Sequence, residues 1–172
     1  MPRSLMAAAA ALVVLPAVAQ AHVTLELREA PAGSYQKIVL RVPHGCQGSP
    51  TLKLRVKLPD GASAVKVQPK PGWTVETVKA KLARPLSDGH GGQITEGVTE
   101  AVWTGRLIDE HYDEFVLRVK LPETPPADGW LYWPVVQECE RGTARWIELP
   151  AAGRSPDDLE HPAPRMKLLP RR

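Results

Sequence analysis

The sequence predicts an all-β fold, an antiparallel β-sandwich of the immunoglobulin-like or cupredoxin-like kind, and three observations carry that prediction. Apolar and polar residues alternate with period two along much of the chain, turn formers interrupt the alternation at short intervals, and no stretch has the apolar spacing of a long amphipathic helix. The 18 prolines agree with this, since proline within sheets keeps to turns and strand edges.

The chain opens Met1-Pro2-Arg3-Ser4, runs almost wholly apolar from Leu5 to Val18, and then reads Ala19-Gln20-Ala21. A short basic start, an apolar run and a small-x-small motif make the pattern of a cleaved secretory signal over residues 1–21. The apolar run is too short for a membrane anchor, which needs about 20 residues. Cleavage after Ala21 makes His22 the first residue of the mature chain.

The first strand is "HVTLEL", with Val23, Leu25 and Leu27 on one face. Residues 35–43 form the next. In "TLKLRVKLP", Leu52, Leu54, Val56 and Leu58 share one side and Lys53, Arg55 and Lys57 the other, the mark of a strand with one wet face. Strands follow at 64–69, 73–82 and 94–104, the last two flanking a glycine-containing loop at 84–93, "RPLSDGHGGQ", expected to be mobile. "EFVLRVKLP" repeats the alternation with Phe115, Leu117, Val119 and Leu121, and residues 130–139 and 143–149 complete about nine strands. From Gly153 onward the chain is rich in proline and charge, which predicts a flexible tail at 153–172 outside a sandwich domain at 22–152.

Charge excludes some partners. Removing residues 1–21 takes away one base, Arg3, and no acid, leaving 21 Lys and Arg against 19 Asp and Glu. So small an excess, spread along strands, gives no footprint for nucleic acid or an anionic membrane, and no later segment is apolar enough to span a bilayer. Nor is there a catalytic set: Ser34, Ser49 and Ser63 lack a nucleophile-elbow context, and no phosphate-cradling glycine loop precedes a helix.

Metal chemistry is a different matter. An N-terminal histidine offers its α-amine and its imidazole Nδ1 to one ion in a six-membered chelate, and an amine with a reference pKa of about 7.7–8.0 is readily deprotonated by a strongly binding metal. Nitrogen-rich, tetragonal ligation of this kind suits Cu(II). His22 is therefore either a chelator or a frayed first residue. A second histidine would come from His44, His90, His111 or His161. His161 falls in the expected tail, His90 in the glycine loop and His111 in a polar turn, all solvated places. His44 lies in "VPHGC", two residues from Cys46. Glu26 points the same way as His22 but lies about 13 Å along the strand, too far to share an ion; Glu138 and Glu140, flanking Cys139, stay open as outward charges or ligands. Cys46 and Cys139 are either a disulfide, the ordinary state in an oxidising compartment, or a reduced pair of soft ligands for Cu(I). The five tryptophans, Trp73, Trp103, Trp130, Trp133 and Trp146, read as core and rim packing, with room for one to shield a metal site.

The ordered set "AHVTLE", "AGSYQKIVLRVPHGC", "KVQPKPGWTVETV", "VWTG", "YDEF" and "PVVQECERGTARWIELP" resembles the YcnI-like family of exported copper-binding proteins, over about residues 22–150. The resemblance implies an immunoglobulin- or cupredoxin-like sandwich that binds Cu(II) through the amine and ring of its N-terminal histidine, here His22. It implies a tryptophan beside the metal, matching Trp146 or the nearby Trp133. It also implies a glutamate at the end of a strand reading Val-Pro-x-Glu, where this chain reads Val42-Pro43-His44-Gly45 and leaves the third ligand open, with His44 beside the gap. The expected function is that of a periplasmic metallochaperone or copper buffer in copper homeostasis, with copper-transport or copper-chaperone proteins as partners. A copper-dependent redox enzyme and a metal-free adhesion or scaffold module are the alternatives.

Overall fold

The computed structural model describes residues 22–88, 90–151 and 153–171; the signal segment expected at 1–21 lies outside them. The chain runs through β1 (Thr24–Leu25), β2 (Glu29–Pro31), β3 (Tyr35–Val42), β4 (Thr51–Lys57), β5 (Ser63–Val67) and β6 (Thr74–Ser87). It continues through β7 (Gln93–Leu107), β8 (Asp113–Lys120), β9 (Trp130–Tyr132), β10 (Val135–Cys139), β11 (Thr143–Trp146), a single turn of 3-10 helix at Pro156–Asp158, and β12 (Arg165–Leu169). Among the described residues no helix is long and apolar enough to cross a membrane.

These strands form a sheet in the order β1-β3-β8-β5, a second in the order β11-β10-β4-β7-β6, and a small third sheet, β2-β12-β9. The period-two pattern decides which side chains go inside. Ile38, Leu40 and Val42 of β3 and Phe115, Leu117 and Val119 of β8 join Leu54 and Val56 of β4, Ala101 and Trp103 of β7 and Val135 of β10 in one apolar core. Phe115, the one phenylalanine in the chain, receives Trp73 and Trp103 edge-on, with ring centroids 4.9 and 5.5 Å away. The strand pairs are antiparallel, except that β2 and β12 run parallel.

Three expectations are corrected. The stretch 130–139 is two strands rather than one. Pro134 has no N–H to continue a ladder, and the chain changes sheet there: β9 pairs with β12, β10 with β4 and β11. Half of the stretch 84–93 is strand, since β6 runs to Ser87 and β7 begins at Gln93, and Asp88 Oδ1 closes the turn by accepting from the His90 and Gly92 amides at 2.7 and 2.9 Å.

The largest correction concerns the chain end. The described residues 153–171 of the segment expected as a flexible tail at 153–172 return to the sandwich: Met166 and Leu168 are 0% and 2% exposed, and β12 lies between β2 and β9. Composition concealed this because proline and charge dominate the segment as a whole, while "RMKLL" by itself alternates as a strand does. Its path back to the sandwich carries residues 159–164 past the end of β11.

Candidate metal centre

The N-terminal strand fixes His22. Val23 is 1% exposed, Thr24 and Leu25 pair with Arg41 and Leu40 of β3, and the Glu26 amide donates to the Val39 carbonyl at 3.0 Å. The residue that cleavage would make first is therefore held from its immediate neighbour onward. Its half-buried ring packs against Trp146 at 5.5 Å between centroids, tilted by 54°.

Trp146 ends β11 opposite Val135 of β10 and is 3% exposed. Its indole N–H donates to Gln137 Oε1 at 3.1 Å. The Gln137 amide nitrogen in turn donates to the His44 carbonyl at 2.7 Å and to Thr51 Oγ1 at 2.6 Å. These partners determine the orientation of the amide, because an indole N–H can only donate and a carbonyl can only accept. Sequence reading passed over Gln137. The available signal was parity: Gln137 shares the inward side of β10 with Val135, and a glutamine in that position needs partners to stay buried.

A third ring completes the group. His161 lies on Trp146 at 5.1 Å between centroids, tilted by 45°. Its backbone is clamped to Glu148: the His161 amide donates to Glu148 Oε2 at 2.8 Å, and the Glu148 amide donates to the His161 carbonyl at 3.1 Å. Pro162 follows and biases residue 161 toward extended backbone. His161, named among the possible second histidines, reads as solvated in the sequence because it falls in the expected tail.

The other candidates are elsewhere or otherwise engaged. The His44 ring Nδ1 donates to the Gly45 carbonyl at 2.6 Å, so His44 reaches the Trp146 network through its backbone oxygen. Trp133 is fully buried in the core. Glu26 pairs with Arg41 at 2.6 Å, Glu138 with Arg55 and Glu140 with Arg106, each at 3.6 Å, all as exposed ion pairs. His90 sits at the tip of the β6–β7 hairpin, and His111 is exposed in the turn before β8. Cys46 and Cys139 form a disulfide across 93 residues, which removes them as thiolate ligands.

The structure also gives a reason for the missing glutamate. Cys46 and Ser49 exchange backbone hydrogen bonds at 2.9 and 3.0 Å around Gln47 and Gly48, both at positive φ. This tight turn brings the Ser49 carbonyl against Gly45, where a Cβ would collide with it. A side chain at position 45 is thus excluded by the turn that the disulfide pins.

Among the described residues no three His, Cys, Asp or Glu side chains converge as a metal cage. A metal at Trp146 would have to draw on the backbone amine that cleavage after Ala21 would expose. Two imidazoles and an amine beside a buried indole suit a nitrogen-preferring ion such as Cu(II), so the residues present fit copper.

Residues 22–168 match the model of a family described as a domain of unknown function, DUF1775. The chain belongs to this family. It is the YcnI-like family that the motifs resemble. A curated relative is the copper-binding protein CutI of Bacillus subtilis (strain 168), 27% identical over 119 residues, which make up 69% of this chain and 52% of the relative. The chain therefore spans about half the length of that relative. A solved structure with a TM-score of 0.64 and 27% identity, covering 86% of this chain and 97% of its own, is an uncharacterized protein from Nocardia farcinica described as having an immunoglobulin-like fold. This YcnI-like sandwich is immunoglobulin-like.

Proposed function

We propose that the mature chain is a periplasmic copper-binding protein, a metallochaperone or copper buffer rather than an enzyme, that takes up Cu(II) through the amine and imidazole of His22. The observation that carries this reading is the packing of the His22 ring, at the head of an anchored strand, against the buried indole of Trp146. Copper binding by the relative CutI supports the choice of metal. The Cys46–Cys139 disulfide fits an oxidising compartment reached through the signal-like segment at 1–21.

Each residue has a physical task in this account. The His22 chelate gives up a proton from its amine when the ion binds, so uptake weakens as pH falls. Trp146 keeps water from one side of the site, and Gln137 holds the indole in place. A carrier also has to release its cargo, and a site built at a chain terminus, at the surface of a stable sandwich, can be opened without unfolding the core.

The test is a Cu(II) titration of protein processed to begin at His22, beside the His22→Ala variant. Loss of tight binding in the variant is expected; wild-type affinity would refute the reading.

A further inference from the structure

We infer that His161 supplies a second imidazole to the copper site, so that three nitrogens, the amine and Nδ1 of His22 and one ring nitrogen of His161, hold the ion beside Trp146. This inference rests on the reading of His22 as a copper chelator and adds a ligand to it.

The geometry gives His161 this position. Its ring and that of His22 both pack on the one indole, at 5.1 and 5.5 Å between centroids. The two imidazole centroids are therefore no farther apart than those distances laid end to end. A shared ion asks the two rings to turn toward each other about their side-chain torsions. Both residues are half-buried; His22 lies two residues ahead of the first pair with β3, and His161 is held by its backbone hydrogen bonds with Glu148. The Glu148 clamp on His161 and the buried strand β12 that follows fix its Cα as firmly as pairing with β3 fixes the N-terminal strand.

The surroundings leave few other choices. The turn at Cys46–Ser49 excludes a side chain at position 45, the ring Nδ1 of His44 is committed to a carbonyl, and Glu26, Glu138 and Glu140 are in ion pairs. A loop that cannot carry a carboxylate ligand and a C-terminal segment that delivers an imidazole are two parts of one arrangement. Three nitrogen donors match the tetragonal preference of Cu(II) better than two. Packing alone would be satisfied by any flat ring on Trp146, and that difference makes the proposal testable.

The experiment uses the chain beginning at His22, loaded with one equivalent of Cu(II), and reads both affinity and the number of coordinated imidazoles by pulsed electron paramagnetic resonance. Wild type is expected to show two imidazoles. His161→Ala is expected to show one and to bind about a hundredfold more weakly, the upper end of what loss of a supporting residue costs a metal site. His161→Phe keeps a ring on Trp146 and is expected to lose the same imidazole signal, which separates ligation from packing; thermal melting verifies that both variants fold. Unchanged imidazole count and affinity in both variants would overturn the role of His161. Wild-type affinity in His22→Ala would overturn the copper chelate beneath it, a distinguishable result.

Discussion

The buried amide of Gln137 accepts the indole N–H of Trp146 at 3.1 Å while donating to the backbone carbonyl of His44 at 2.7 Å. One side chain, 1% exposed, thus ties the tryptophan that packs on His22 to the loop before the disulfide.

Replacing Gln137 by Leu keeps the volume roughly constant but leaves the Trp146 N–H and the His44 carbonyl without this partner. The expected cost is about 1–3 kcal/mol per buried group left unsatisfied. Urea unfolding checks it, and Trp146 fluorescence should shift as the ring loses its fixed orientation. An unchanged midpoint would mean that water replaces the amide at no cost.

The disulfide closes a loop of 93 residues, and in the chain-entropy model a closure of that length stabilises the fold by roughly 4–5 kcal/mol. Cys46→Ser with Cys139→Ser is expected to lower stability by about 2–5 kcal/mol, the usual cost of removing a native bond. Because the cysteines are not ligands in this account, Cu(II) stoichiometry should stay the same. A changed stoichiometry would favour a role for the sulfurs.

Introducing the carboxylate that the family resemblance implies at this position, as Gly45→Glu, is expected to destabilise the protein instead of improving the site. The new Cβ would run into the Ser49 carbonyl, a backbone atom held by two hydrogen bonds. A drop in melting temperature without a gain in copper affinity is the expected pair of results. Tighter binding at unchanged stability would show that the turn can yield.

Met166 tests the place of the C-terminal strand. It is fully buried, so Met166→Ala should cost about 2–5 kcal/mol, the range for emptying a core site of that size. Chemical denaturation measures it. A cost near zero would return residues 153–172 to the status of a tail.

The sandwich was legible because alternation is a local signal: Phe115, Leu117 and Val119 announce their burial within a few residues of each other. His161 was not legible, because its contact with Trp146 depends on β12 docking against residues 29–31 and 130–132, partners that lie far away in sequence. The exclusion of a side chain at Gly45 was hidden for a similar reason. The sequence displays a missing glutamate, but the carbonyl that forbids one is set by a turn and a disulfide closing in three dimensions. His22 stood between these cases, since the cleavage motif and the family resemblance named it and the anchoring of β1 accounts for its fixed position.

The most direct test of the central claim compares two proteins that differ only at the terminus, one beginning at His22 and one with a single alanine ahead of it. The extension turns the α-amine into an amide and leaves every side chain in place. In a Cu(II) titration the account predicts tight one-to-one binding by the first and a collapse of affinity in the second; equal affinity in both would contradict it.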